Sequence, residues 1–293
     1  MMPFEERFTL STDGLSLFYR DYAGPPGQND RTPVICIPGL TRNSRDFDFI
    51  ASHIAATRRV ITTDLRGRGQ SGHDPDPRNY SVPVETGDVL QLLETLGIAR
   101  VVVLGTSRGG VIAMVMATAK PGLLAGAILN DMGAQLEARG LERIYTVLRA
   151  PPSFAGWEEA AAALARANAA LFANVGDAAW LAFAHALYRE EAGRIVGDYD
   201  PKFPAAILEG AGTNPRNDAG AADLWRWFAA LAAIPTLLLR GENSELLSAE
   251  TVAAMLRAKP DLVSVTVKDR GHVPFLDEPE AVAAIDAFLQ GIA

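Results

Sequence analysis

Six short apolar runs, rich in β-branched residues, recur along the 293-residue chain and constrain its fold more than any other feature. Continuous apolar runs of about four to eight residues are typical of strands that are covered on both faces, as in a parallel sheet. Stretches with helical spacing of apolar residues occur at 82–98, 249–258 and 279–292. Alternating strands and helices predict an α/β fold with an open, mostly parallel sheet. The runs lie at 33–37, 59–63, 101–105, 125–130, 235–240 and 262–267.

Two segments depart from this rhythm. Residues 1–22 place FTL and LSLFYR on either side of STDG, which predicts an antiparallel hairpin at the sheet edge. Residues 132–228 are rich in alanine, which favours helix, and contain no convincing strand. We therefore expect a helical cap, or lid, at 132–228 over a core formed by 1–131 and 229–293.

The composition of the chain argues against several classes of binding partner. The formal net charge of −8 argues against nucleic acid, which needs a basic face, and disfavours anionic membranes. No apolar run is long enough to span a bilayer, and MMPFEERFTL lacks the order of a signal peptide. The single cysteine, Cys36, has no disulfide partner within the chain, and no Cys/His cluster has metal-ligand spacing. We expect a cytoplasmic protein without cofactor or metal, either a monomer or a homodimer.

The stretch GTSRG at 105–109 lies between the apolar runs VVVL and VIAMVMA. A G-x-S-x-G pattern between a strand and a helix is typical of a turn that presents a nucleophilic serine, here Ser107. A Cβ at Gly105 or Gly109 would clash with the neighbouring strand or helix. The N–H of Arg108 would lie at a helix N-terminus, where an anion is favoured. The alternative is an ordinary turn in which the serine caps the helix.

Two further loops follow predicted strands. In CIPGLTRN the turn at Pro38 and Gly39 would let the N–H of Leu40 act as a second donor to an oxyanion. In DLRGRGQS we expect a structural role, with Asp64 and Arg66 fixing the loop by hydrogen bonds. Either loop, taken alone, could be an ordinary turn.

His272 is the candidate base among the four histidines of the chain. It lies on a loop after the last predicted strand, in RGHVPFLDEP, where the chain order Ser, acid, His places a base. His53 lies in a helical stretch and His73 in a polar turn, so we expect both near the surface. His185 falls on a cap helix, where packing is favoured over contact with a substrate.

These motifs together resemble the α/β-hydrolase superfamily over nearly the whole chain. The matching pieces are IPGLTRN, DLRGRGQS, GTSRGG, LLLRGENSELLS and RGHVPFLDEP, in that order. The resemblance implies an eight-stranded, mostly parallel sheet with a helical cap inserted after the sixth strand. It also implies Ser107 as the nucleophile and His272 as the base. One departure is Pro38, where family members often carry a histidine before the glycine of the oxyanion loop.

The resemblance leaves two carboxylates in competition for the third position of the triad. The acid of family members usually follows the seventh strand, and Glu245 stands there in GENSELLS. Glu242 comes too early in that turn. Asp131, at the end of the sixth strand in ILNDMG, is the alternative, although it could instead cap the first turn of the cap. We expect Glu245 to be the acid.

The expected activity is hydrolysis of a carboxylic ester or lactone of a small to medium, partly apolar molecule through an acyl-enzyme. A serine at the turn argues against relatives that use aspartate there, the haloalkane dehalogenases and epoxide hydrolases. A carbon–carbon bond hydrolase and a cofactor-free perhydrolase remain alternatives, and so does a small-ligand receptor with a vestigial site. Arg42, Arg45 and Arg108 could steer a carboxylate-bearing substrate, or they could be solvated surface residues.

Overall fold

A computed structural model describes residues 2–27, 31–213 and 221–292. The strands are β1 Glu5–Leu10, β2 Ser16–Tyr22, β3 Val34–Ile37, β4 Val60–Thr63, β5 Val101–Thr106, β6 Leu124–Asn130, β7 Ser153–Phe154, β8 Tyr188–Glu191, β9 Arg194–Gly197, β10 Thr236–Gly241 and β11 Val263–Val267. The α-helices are α1 Asp48–Ile54, α2 Val82–Thr95, α3 Arg108–Ala119, α4 Ala138–Arg149, α5 Trp157–Asn168, α6 Asp177–Leu187, α7 Phe203–Thr213, α8 Ala221–Ala229, α9 Ala249–Ala258 and α10 Pro279–Gln290. Within these described ranges no helix combines the length and the apolar character needed to cross a membrane.

Eight strands form one sheet in the order β1-β2-β4-β3-β5-β6-β10-β11. The first hairpin is antiparallel, β2 pairs antiparallel with β4, and every other pairing in the sheet is parallel. The six apolar runs are therefore β3, β4, β5, β6, β10 and β11, and STDG forms the turn of the edge hairpin. The expected fold class is confirmed.

The central strands are mostly apolar because both of their faces are covered. In β3, Ile35 and Ile37 pack into the hydrophobic cluster on one face, while Val34 and Cys36 pack into the cluster on the other. Such alternation is what a two-sided core requires of a strand. Burial also raises the pKa of the Cys36 thiol well above its ordinary range, so we expect this cysteine to be chemically inert.

The segment between β6 and β10 is not wholly helical, contrary to the expectation from its alanine content. It contains a small antiparallel sheet in the order β7-β9-β8. The β8–β9 hairpin turns at Ala192 and Gly193, both with positive φ, as its tight turn requires. Its strands were missed because sequences such as YREE lack the apolar alternation of a half-buried strand.

The end of this segment packs with the main core. Leu224 and Phe228 of α8 belong to the same hydrophobic cluster as the buried face of α3. We therefore propose that the cap ends before α8, earlier than the expected boundary at residue 228. Residues 214–220, which the expected cap 132–228 includes, lie outside the described residues.

The connection from β9 to α7 is fixed to the core loops. Asp198 accepts hydrogen bonds from Arg45 Nη2 (2.7 Å) and Asn43 Nδ2 (3.3 Å). Asp200 accepts a hydrogen bond from the Tyr80 hydroxyl, and its N–H donates to Gly67 O (2.8 Å). Arg45 thus has a structural role that the sequence did not predict: it ties the cap to the oxyanion loop.

Candidate active site

The turn from β5 to α3 holds Ser107 in a strained backbone conformation, with φ 51° and ψ −112°. A Cβ on Gly105 would lie 2.4 Å from the carbonyl carbon of Gly109, and a Cβ on Gly109 would lie 2.0 Å from Ile37 O. Both glycines are therefore required, as the sequence predicted. The alternative of a capping serine does not hold, because the Ser107 side chain makes no cap hydrogen bond.

His272 lies between Ser107 and Asp131. Its Nε2 is 2.9 Å from Ser107 Oγ, and its Nδ1 is 2.7 Å from Asp131 Oδ2. A carboxylate oxygen can only accept from Nδ1, and in the tautomer that makes this hydrogen bond Nε2 is free to accept the serine proton. The three side chains form a continuous hydrogen-bonded chain.

Asp131 is fully buried and firmly oriented. Its Oδ1 accepts a hydrogen bond from Gly241 N (2.9 Å), and its Oδ2 accepts one from Ser244 Oγ (2.6 Å) in addition to that from His272. The residue has a φ of 53°, in the left-handed region that aspartate tolerates better than most residues. Gly241, at the end of β10, and Ser244, in the turn that follows, thus hold the Asp131 carboxylate toward the imidazole.

The expectation that Glu245 pairs with His272 is wrong. Its carboxylate instead forms a salt bridge with Arg139 (Nε to Oε1, 2.6 Å) and accepts a hydrogen bond from Arg143 Nη1 (3.1 Å), both on α4 of the cap. The cause lies in the turn itself, where the N–H groups of Leu246 and Leu247 donate to Ser244 Oγ. That geometry points Ser244 at Asp131 and leaves the next side chain facing the cap.

Two backbone N–H groups are available beside Ser107. In the described part of the chain, neither Leu40 N–H nor Arg108 N–H donates a hydrogen bond to another protein atom. The oxyanion loop approaches closely, since a Cβ on Gly39 would lie 3.7 Å from Ser107 Cβ. Arg108 is the first residue of α3, so its N–H has no acceptor within the helix. Both N–H groups are therefore free to donate to a developing oxyanion.

A cavity of about 640 Å³ opens above Ser107 and His272. This size suits a small molecule. Phe172 and Phe183, which also pack against Phe275, contribute to its walls. The sequence-predicted packing role of His185 agrees with its position, where it stacks on Trp157 with ring centroids 3.9 Å apart. The apolar wall of the cavity comes largely from the cap and includes Ile144, Val147, Leu148, Phe154, Leu164 and Leu171.

The remaining predicted residues have structural contacts. Asp64 accepts hydrogen bonds from Ser44 N (2.7 Å) and Gln70 N (2.8 Å), and Arg66 pairs with Asp88 through two hydrogen bonds of 2.6 Å. These contacts agree with the role expected of the DLRGRGQS loop. His53 pairs with Asp286 at the surface and His73 is exposed.

The three arginines that could steer a substrate differ in their contacts and in whether they line the cavity. Arg45 is bound to Asp198, and the Arg108 side chain donates to Glu85 through Nε (2.6 Å). Arg42 alone of the three lines the cavity. Its guanidinium lies 4.5 Å from the centroid of the Phe183 ring, and its Nε pairs with Asp46.

The fold and this arrangement define an α/β hydrolase. The model of the Alpha/beta hydrolase family matches residues 34–285, and the chain belongs to that family. It is similar to a 3-hydroxybutyrate-oligomer hydrolase of Cupriavidus necator, at 34% identity over 96% of each protein. It is also similar to a putative esterase/lipase of Haemophilus influenzae, at 24% identity over 89% of this chain and 85% of that protein. A crystal structure of an α/β hydrolase from Novosphingobium aromaticivorans superposes with a TM-score of 0.90 at 40% identity and covers 99% of both chains.

Proposed function

We propose that the protein is a serine hydrolase that cleaves carboxylic esters through an acyl-enzyme on Ser107. The observation that carries this proposal is the hydrogen-bonded chain from Ser107 through His272 to Asp131, at the floor of a largely apolar cavity. Nucleophile, base and orienting acid in this arrangement are the parts that acyl transfer requires.

The chemistry follows from the contacts. His272 Nε2 takes the proton of Ser107 as Oγ attacks the ester carbonyl, while Asp131 holds the imidazole and stabilises its charged form. The N–H groups of Leu40 and Arg108 bind the negative oxygen of the tetrahedral intermediate. The imidazolium then gives its proton to the departing alcohol, which leaves the acyl group on Ser107. Water, activated by the same base, releases the acid and restores the serine.

Turnover of a simple ester separates an enzyme from a receptor. We expect many catalytic cycles on p-nitrophenyl butyrate and stoichiometric labelling of Ser107 by a fluorophosphonate, because both need an activated hydroxyl beside an oxyanion site. Release of p-nitrophenol is followed at 400 nm or so, with pre-steady-state sampling to count the first cycle. Release of one equivalent of product with no further turnover would support the receptor alternative.

The substrate is proposed to carry a free carboxylate. An oligomer of a hydroxy acid, such as the substrate named for the Cupriavidus necator relative, has ester links and one carboxylate end. Arg143 also lines the cavity, but its guanidinium is taken up by Glu245, Ala167 O and Asn168. The Arg42 guanidinium makes one hydrogen bond within the described residues, to Asp46. Its terminal amino groups can accordingly receive a substrate carboxylate.

Changing Arg42→Gln should raise KM for an ester that bears a carboxylate about tenfold or more, because one charge-assisted hydrogen bond is lost. The matching neutral methyl ester should change by less than about threefold. The measured quantity is the ratio of kcat/KM for the dimer of 3-hydroxybutyrate to that for its methyl ester, which cancels any loss of folded enzyme.

Arg139→Gln is the matched control, since Arg139 pairs with Glu245 but does not line the cavity. It should leave the ratio of acidic to neutral substrate unchanged. If Arg42→Gln lowers kcat/KM equally for the acidic and the neutral substrate, Arg42 shapes the oxyanion loop and does not recognise a carboxylate.

A further inference from the structure

Glu85 is a fully buried carboxylate in the first turn of α2. It bridges two arginines: Oε1 accepts from Arg68 Nη2 and Oε2 accepts from Arg108 Nε, each at 2.6 Å. A buried charge persists only when it is paired and hydrogen-bonded. The feature is notable because each of these arginines is linked to one of the two candidate oxyanion donors.

Arg68 is linked to the oxyanion loop. Its side chain is fully buried, and its Nε donates to Leu40 O (3.0 Å). Its guanidinium also lies 4.3 Å from the centroid of the Phe203 ring, which limits its movement. Arg68 therefore fixes the residue whose N–H is the first candidate donor.

Arg108 is linked to the nucleophile turn. It directly follows Ser107, and its backbone N–H is the second candidate donor. Its side chain does not line the cavity and donates to Glu85 and to Tyr80 O (3.3 Å). Its side chain therefore anchors the start of α3 without touching a bound substrate.

Glu85 remains ionised at neutral pH. Burial alone would favour the neutral acid, but the attraction of Arg108 and Arg68, together with their hydrogen bonds, outweighs it and lowers the pKa of Glu85 below its ordinary value. One carboxylate thus holds two guanidinium groups, and the cluster carries one net positive charge next to the donors. Such a charge also favours a developing oxyanion.

We propose that Glu85 is a positioning residue that sets the distance between the two oxyanion donors, through Arg68 to Leu40 and through its salt bridge to Arg108. This inference rests on the proposed acyl transfer at Ser107. Donors must stand about 3 Å from the oxyanion, and a displacement near 1 Å can cost about a hundredfold in rate. A link that joins both donors through one buried group keeps that distance fixed as the tetrahedral intermediate forms.

Glu85→Gln tests the proposal, because glutamine keeps the shape but cannot accept two charged donors. We expect kcat on p-nitrophenyl butyrate to fall about ten- to a hundredfold, with KM within about threefold of wild type. Affinity for a boronic acid, whose serine adduct places an oxygen in the oxyanion site, should fall in parallel with kcat. Active sites are counted by fluorophosphonate labelling, so misfolded protein does not enter kcat.

Asp88→Asn is the matched control on the same helix. Asp88 is also buried and also pairs with an arginine, Arg66, through two 2.6 Å hydrogen bonds. In the described structure the Arg66 guanidinium donates to Asp13, Asp74 and Asp88, and makes no hydrogen bond to Leu40 or Arg108. We expect a comparable loss of thermal stability but a kcat within about twofold of wild type.

Arg108→Met provides a second variant if Glu85→Gln fails to fold. It cuts the same link at its more exposed end and keeps the backbone N–H, and we expect kcat to fall about tenfold at unchanged KM. Arg108→Lys, which can still reach a carboxylate, should recover part of that loss.

The proposal is overturned if the variant that folds keeps kcat within about threefold, or if Asp88→Asn loses as much. These outcomes are distinct from failure of the proposed function. In that case the wild type itself shows no turnover, or its turnover survives in Ser107→Ala.

Discussion

Replacing Ser107 with alanine should lower kcat for p-nitrophenyl butyrate by about 10⁴- to 10⁶-fold, as in other enzymes with a serine triad. The hydroxyl that His272 Nε2 contacts at 2.9 Å is removed, and no acyl-enzyme can form. Residual rate over water would come from the N–H groups of Leu40 and Arg108 and from binding in the cavity. Steady-state kinetics with purified variant and wild type measure the effect.

The control for this variant is retained binding. Ser107→Ala removes one small polar atom, so its melting temperature and its affinity for a product acid should stay close to wild type. A folded Ser107→Ala protein with more than about one hundredth of wild-type kcat would show that another group performs the attack.

Asp131→Asn should lower kcat by about 10³- to 10⁴-fold, the second largest effect. An asparagine amide can donate to His272 Nδ1, which puts the ring proton on Nε2 and leaves no base facing Ser107. It also leaves the Gly241 N–H and Ser244 hydroxyl with a poorer acceptor. The variant keeps the shape of the site, so kcat is the quantity that changes.

Glu245→Gln is the matched comparison, because it removes a carboxylate from the same edge of the cavity without touching His272. We expect less than about a fivefold change in kcat and a lower thermal stability of the cap, since Arg139 and Arg143 each lose their charged partner. If the order of the two variants is reversed, the acid has been assigned to the wrong residue.

The strands and the nucleophile turn were readable from the sequence because each follows from a local requirement. Residues of β3 and the first four residues of β5 are apolar at every position because both faces of the sheet are covered. Gly105 and Gly109 must lack a Cβ because backbone atoms lie within 2.4 Å of where it would be. Local requirements of this kind leave a local pattern.

The acid was harder to assign because its partners come from two other parts of the chain, the end of β10 with its following turn and the loop after β11. The register of β5 and β6 pairs Thr106 with Asn130, so Ser107 and Asp131 emerge side by side at one edge of the sheet. This signal was present in the two strand ends, but the usual place after the seventh strand favoured Glu245. The Ser244 hydroxyl helps to orient the Asp131 carboxylate toward His272, and its direction depends on the folded turn.

The Glu85 bridge and the cap sheet left no usable sequence signal. A glutamate in the first turn of a helix favours the helix dipole and is usually solvated, so nothing in α2 predicts that Glu85 is buried between Arg68 and Arg108. β8 shows no apolar alternation in sequence, and its contact with the core comes from Arg45, whose Nη2 donates to Tyr188 O (3.4 Å). Both depend on contacts between residues far apart in the chain.

Mass spectrometry of enzyme quenched with acid during turnover of a slowly hydrolysed ester tests most directly whether Ser107 carries the acyl group. The account predicts a mass increase equal to one acyl group, on the peptide that contains Ser107, which disappears as substrate is exhausted. Continued turnover with no acylated peptide, or with the acyl group on a different residue, would contradict it.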